Sequence, residues 1–241
     1  MEQETTMFAH NQLATASTEI AVNSAFCQDK QVALKNQLFE ISSLQYVQAK
    51  ETIFWEGDPS DYVYEVLEGV VLLSKMTLDG RRQITGFVYP GQPFGLGAGE
   101  QHTYTAEAVT RSRLCRYSHN RMDQSITVYP ALGHRYMAWT SNELAAAQDQ
   151  ILLLGRRTAM EKIASFLLRL SERNDERDED PMYLFVPMTR HDIGDYLGLT
   201  TETVSRTLTL LDNMGVIERP NQSNIIVSDL DHLMDLAENE T

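Results

Sequence analysis

TRHDIGDYLGLTTETVSRTLTLLDNM, residues 189 to 214, reads as two short helices around a tight turn. Thr189 is an N-cap for a first helix whose apolar positions include Ile193 and Leu197, and Gly198-Leu199-Thr200 breaks it before a second cap-rich start at Thr201. Val204, Leu208 and Leu211 then recur at helical spacing and are expected to pack inward, which leaves Glu202, Ser205, Arg206 and Thr209 on the opposite face. Gly215 is expected to end this helix. The outward face has chemistry suited to base edges in a DNA major groove: Arg206 can donate two bonds to guanine, Glu202 can accept from a cytosine amino group, and Ser205 is short enough to bond or pack locally. The plainer alternative is an amphipathic helix pair with a solvated charged face; the turn chemistry and the Glu-x-x-Ser-Arg placement favour base reading. Arg190, Thr201, Thr203 and Thr209 are the candidate contacts to the DNA backbone.

Working outward, residues 216 to 227, VIERPNQSNIIV, predict a hairpin with a polar tip. That is the wing of a winged helix-turn-helix, with packing and a phosphate contact as its role. On the other side, residues 157 to 172 predict an amphipathic helix around Ile163, Phe166, Leu167 and Leu170, followed by a charged loop from Asn174 to Pro181. Further upstream, a helical run from Pro130 to about Arg156 carries Leu132, Tyr136, Trp139, Glu143, Ala147, Ile151 and Leu154 at spacings of three and four. A stripe this long predicts a coiled-coil dimer seam, with Ile151 one heptad beyond Leu144; packing on the chain's own barrel is the alternative. Asp149 lies close to that expected seam, as a solvated residue or, in two copies, as a like-charge brake on dimerisation.

From Thr52 to about Tyr117, short β-rich runs alternate with the turn signals Glu56-Gly57-Asp58-Pro59, Glu68-Gly69, Asp79-Gly80, Pro90-Gly91 and Gly95 to Gly99. This is the pattern of an antiparallel barrel or jelly roll. Residues 26 to 47 read as mainly helical, and the first twenty or so as a loose polar tail. The expected architecture is α+β in four parts: a flexible tail at 1–20, a sensor β-barrel or jelly-roll domain at 21–128, a dimerisation helix at 129–156 and a winged helix-turn-helix DNA-binding domain at 157–241.

At 241 residues and 42% hydrophobic, the chain can bury two cores. No stretch approaches the roughly 20 apolar residues of a membrane span, and MEQETTMFAHNQ lacks the basic-then-apolar order of a leader, so a cytoplasmic protein is expected. Cys27 and Cys115 give no disulfide framework. A net charge of -14 opposes long-range attraction to phosphate, so DNA affinity has to come from local patches. Arg156, Arg157, Lys162 and Arg169, with Arg190 and Arg206, are the candidate positive strip, and base contacts are expected to carry more of the discrimination.

The run from Ile193 to Thr200, followed by Glu202, Thr203, Ser205 and Arg206, resembles the recognition region of FNR and FixK regulators in the CRP/FNR superfamily. The resemblance continues upstream through Gln150-Ile151-Leu152-Leu153-Leu154 and Gln83-Ile84-Thr85-Gly86-Phe87, and covers nearly everything beyond about residue 25. It implies a homodimeric transcription regulator, an activator, that reads palindromes of TTGA and TCAA half-sites about six base pairs apart. Glu202, Ser205 and Arg206 take the base-reading places by this likeness, and RNA polymerase is an implied partner; family members use loops near Asn174 to Pro181 for that contact. The likeness also implies an acidic residue at the position of Asp149.

Cyclic-nucleotide-binding relatives hold the ribose with a Gly-Glu pair after the Phe and clamp the phosphate with Arg-Ser or Arg-Thr. Here Phe94-Gly95 is followed by Leu96, and Tyr104 and Thr105 stand where the clamp belongs. A buried phosphate would lack a counter-charge, so neither cyclic AMP nor cyclic GMP is expected. FNR holds an iron-sulfur cluster with three N-terminal cysteines and one in the barrel. Cys115 matches the barrel ligand and Cys27 at most one of the others, so the expectation is a cluster-free regulator with no metal, as in FixK-type members. A cluster bridging two chains or completed by His10 stays open as the alternative, as does thiol-based sensing through the candidate redox thiols Cys27 and Cys115.

A barrel enzyme of the cupin kind is the competing class. It needs a clustered metal set of His and carboxylate, whereas His10, His102, His119, His134, His191 and His232 are scattered with no His-x-His pair, so no catalysis is expected. A third reading, an effector module whose helix-turn-helix contacts protein, separates from the first by binding to a TTGA palindrome.

Overall fold

The structure is a computed structural model and describes residues 42–97, 99–156, 158–171 and 182–238. Its first part is built from β1 (Ser42–Val47), β2 (Thr52–Phe54), β3 (Tyr62–Glu68), β4 (Val71–Met76), β5 (Arg82–Val88), β6 (Pro93–Phe94), β7 (Thr105–Ala108) and β8 (Ser112–Ser118). These form two four-stranded sheets, ordered β1-β8-β3-β6 and β2-β7-β4-β5, a double-sheet jelly roll. The sheets face each other without closing, so of the two expected forms the roll is present and the closed barrel is not. Residues 42–47, expected to be helical, are strand: Ser42 to Val47 pair antiparallel with Tyr117 to Ser112, and that ladder overrides the local pattern. The rest of that expected helix, the 1–20 tail, Cys27 and the Asn174 to Pro181 loop lie outside the described residues.

Alternation along the strands sends side chains to two different cores. In β4, Val71 and Leu73 point between the sheets, with Phe54, Tyr64, Val66, Phe94 and Leu114. Leu72, with Ile84 and Phe87 of β5, points outward into a second core shared with the C-terminal helices. This explains an uninterrupted apolar run on a strand: both of its faces are covered.

Beyond the roll come α1 (His119–Val128), α2 (Pro130–Arg156), α3 (Ala159–Ser171), β9 (Met182–Phe185), α4 (Arg190–Leu197), α5 (Thr201–Asn213), β10 (Ile217–Glu218), β11 (Asn224–Val227) and α6 (Leu230–Glu238). The expected wing is the β10–β11 hairpin, and β9 adds a third strand beside β11. No described helix is long and apolar enough to cross a membrane.

Helix α2 corrects the expected seam. Leu132 and Trp139 are only 1% and 8% exposed, and they pack with Val63, Cys115, Tyr117 and Met122, with Tyr136 against the same cluster. These three residues face the chain's own roll. The outer face of the helix instead carries Met137, Leu144 and Ile151, one heptad apart and 69%, 60% and 68% exposed, with Ala147 also exposed. Leu154 is half-buried, and its Cδ2 lies 3.4 Å from where a Cβ on Gly198 would stand. Asp149 is two residues from Ile151, roughly 200° around the helix. It is exposed and lines a groove with Ser165, Leu168, Arg169 and Glu238, a placement that favours the solvated reading of Asp149.

Candidate nucleic-acid interface

Two caps and one close approach set the angle between α4 and α5. Thr189 Oγ1 accepts from Asp192 N at 3.1 Å while Asp192 Oδ2 accepts from Thr189 N at 3.1 Å, a reciprocal capping box. Gly198 closes α4 in the left-handed region at φ 64°, its N–H donating to Gly194 O. The second cap is Thr200, one residue earlier than expected: its Oγ1 accepts from Thr203 N at 3.1 Å. Val204, Leu208 and Leu211 are buried, as the spacing required, whereas Glu202, Ser205, Arg206 and Thr209 are exposed on the other face.

The side chains of this candidate reading face are held by bonds within α5. Arg206 Nη2 donates to Glu202 Oε1 at 2.5 Å, and both side chains are 78% exposed. A pair that open to water costs little to exchange for base contacts. Ser205 Oγ donates to Thr201 O at 2.9 Å, and Thr209 Oγ1 donates to Ser205 O at 2.9 Å. Of the candidate backbone contacts, Thr201 and Thr209 are exposed, and Thr203 and Arg190 are half-buried. Arg190 Nη1 is buried with no partner among the described residues. Burial, and then the charge of Arg219, disfavour its charged form, which an incoming phosphate would offset.

Arg219 has no signal in the sequence pattern, yet it braces the wing to α5. Its Nε and Nη2 donate to Asp212 Oδ2 at 3.0 and 2.9 Å, and Nη2 also donates to Thr209 Oγ1 at 3.3 Å. The expected positive strip is narrower than the sequence suggested. Lys162 is buried, and Arg169 is half-buried and turned toward the Tyr196 hydroxyl at 3.4 Å. Arg190, Arg206 and Arg219 remain around α5; Arg157 and the side chain of Arg156 are not among the described positions.

In the roll, the position expected for a phosphate clamp is filled from within. Gly95 N donates to the Tyr104 hydroxyl at 2.7 Å, and the carboxyl of Glu143 on α2 lies near enough to that hydroxyl to interact with it. Burial pushes the Glu143 carboxyl up, against the effect of Tyr104. An anion entering here would meet an occupied Gly95 N–H and a carboxyl, so these residues do not fit a cyclic nucleotide. Thr105 is engaged elsewhere, its Oγ1 accepting from Glu56 N at 3.0 Å, and Leu96 packs toward the Cys115 cluster. Cys115, on β8, is buried against Met122 of α1 and Leu132 and Trp139 of α2. Two cysteines in the chain do not supply the four thiolates of an iron-sulfur cluster. Among the described residues no three of His, Cys, Asp and Glu form a group able to hold a metal ion.

Comparison with known proteins adds to this geometry. Residues 44–128 match the model of the cyclic nucleotide-binding domain, and residues 161–236 that of the Crp-like helix-turn-helix domain. The transcriptional activator protein FnrL of Cereibacter sphaeroides is 35% identical over 88% of this chain and 86% of its own length. The nitrogen fixation regulation protein FixK of Azorhizobium caulinodans is 40% identical over 73% of this chain and 72% of its own. Among solved structures, FixK2 from Bradyrhizobium japonicum superposes with a TM-score of 0.77 at 35% identity, covering 83% of this chain and 100% of that one.

Proposed function

The chain belongs to the CRP/FNR superfamily of transcription regulators, in its FixK/FNR-like branch, and from that premise we propose that it is a cytoplasmic, homodimeric transcription activator reading TTGA and TCAA half-sites. The observation that carries this reading is α5: Glu202, Ser205 and Arg206 stand exposed within about one turn, on a helix whose opposite face is buried. Arg206 donates to the guanine, Glu202 accepts from a cytosine amino group, and Ser205 packs or bonds beside them. Thr201, Thr203, Thr209 and Arg190, with Arg219 added, hold the backbone. Two-fold pairing places two such helices on a palindrome, and the exposed Met137, Leu144 and Ile151 stripe supports α2 as its seam.

In this reading the chain divides into a flexible tail at 1–20, a sensor roll at 21–128, a dimerisation helix at 129–156 and a DNA-binding unit at 157–241. The protein works without a cyclic nucleotide, metal or cluster and catalyses no reaction. RNA polymerase is the partner at the promoter. Full-length protein titrated by fluorescence anisotropy against the palindrome and a scrambled duplex tests the reading. Tight binding to the palindrome alone, unchanged by cyclic AMP, is expected; equal affinity for both duplexes would reject it.

A further inference from the structure

The last four carbonyls of a helix have no donors within it, and in α4 two of them are satisfied from other parts of the molecule. Gly194 O is met locally, by the N–H groups of Gly198 and Leu199. Asp195 O accepts from Gln83 Nε2 of β5 at 2.6 Å, and Tyr196 O accepts from Gln150 Nε2 of α2 at 2.7 Å. Beside them Arg82, also on β5, donates through Nε to Asp195 Oδ2 at 2.8 Å and through Nη2 to Asp192 Oδ1 at 2.5 Å.

Asp192 and Asp195 are three residues apart and share a helix face, so one guanidinium fork spans both. The three side chains keep only 26%, 14% and 17% of their exposure. Salt therefore screens this group less than a surface pair, and removing Arg82 would leave two carboxylates facing each other. Beneath it Phe87 of β5 packs on Tyr196 and Phe166, with ring centroids 5.1 and 6.4 Å apart.

We propose that Arg82, Gln83 and Gln150 are positioning residues for DNA reading: from the roll and the long helix they grip α4 and thereby set the direction in which α5 is presented. The inference rests on the DNA-binding reading above. A dimer that reads two half-sites must hold its recognition helices at one separation, about 34 Å for sites one turn apart. Helix α4 carries α5 with it, because Gly194 lies against the Leu199 carbonyl. A change in the grip therefore moves the reading face as a body and leaves its chemistry intact. Its signature is a preference for spacer length, separate from the preference for bases.

The test titrates full-length wild type, Arg82→Ala, Gln150→Met and the exchange Arg82→Asp with Asp195→Arg. The duplexes carry TTGA and TCAA half-sites with the spacer lengthened or shortened by one or two base pairs. Melting and sedimentation are run beside the titrations. Wild type is expected to favour one spacer by about tenfold or more. Arg82→Ala and Gln150→Met are expected to fold, dimerise and keep their base preferences while that spacer ratio falls to within about threefold. The charge exchange should recover part of it. A general loss of stability would weaken every spacer alike. Should Arg82→Ala fail to fold, Gln150→Met decides, since it deletes one hydrogen bond and no charge. Retention of the wild-type spacer ratio in the folded variants overturns the proposal. If wild type itself does not distinguish the palindrome from a scrambled duplex, the DNA-binding reading beneath it fails instead.

Discussion

A Cβ added to Gly194 would stand 2.6 Å from the Leu199 carbonyl oxygen, so α4 approaches the turn before α5 only because that position has no side chain. Gly194→Ala is expected to cost the DNA-binding unit about 1–3 kcal/mol, seen as a lower melting temperature together with weaker DNA binding. An unchanged melting curve would show that the turn can give way. At this scale the sequence was readable wherever the signal is local. Thr189, Gly198 and the faces of α5 follow from cap chemistry and period. Arg219 was not readable, because its partners Asp212 and Thr209 are reached across a chain reversal. Lys162 was misassigned because a charge in a sequence reads as an exposed one, whereas its stem is packed in the structure.

The long helix α2 shows how an element is found while its orientation is not. Its extent from Pro130 to Arg156 follows from periodicity, but spacings of three and four fit more than one face of a helix this long. The face through Leu132, Tyr136 and Trp139 meets the roll, and the heptad through Met137, Leu144 and Ile151 meets solvent. Which face is covered depends on Cys115 and Tyr117 projecting from the outside of β8, and nothing within the helix encodes that. The two faces should therefore respond differently. Ile151→Glu is expected to give folded monomers that no longer bind the palindrome, since burying an unpaired charge against a two-fold mate costs several kcal/mol (about 3–5). Trp139→Ala should instead lower the stability of the protomer, by about 3–5 kcal/mol. Sedimentation equilibrium and thermal melting separate them; a fully dimeric Ile151→Glu protein would exclude this face as the seam.

For the whole molecule, the order of roll, long helix and winged helix-turn-helix could be read in advance. The docking of the last on the first could not, because Arg82 and Asp192 are 110 positions apart and such pairs leave no local pattern. That docking carries a pH dependence. Burial works to raise the Asp192 carboxyl, but the bonds from Thr189 and Arg82 prevail and hold it below its ordinary value. Asp195, with His191 close to it, is the other titratable group facing this site. A depressed folded-state pKa means that the stabilisation from Asp192 is complete above the unfolded value near 4 and is lost as pH falls through the depressed one. The stability difference between wild type and Asp192→Asn, from denaturant unfolding, is thus expected to be constant from about pH 5 to 7 and to shrink below about pH 4. A difference that stays flat into acid would contradict a charged Asp192 at the junction.

That α5 reads bases through Arg206 is tested most directly by titrating wild type and Arg206→Ala, at one salt concentration, against the TTGA palindrome and every single-base variant of its half-site. Arg206→Ala is expected to lose about 1–3 kcal/mol on the cognate duplex and its preference at the G of each half-site, while preferences at the other positions persist. Wild-type affinity ratios at every position in the Arg206→Ala protein would contradict it.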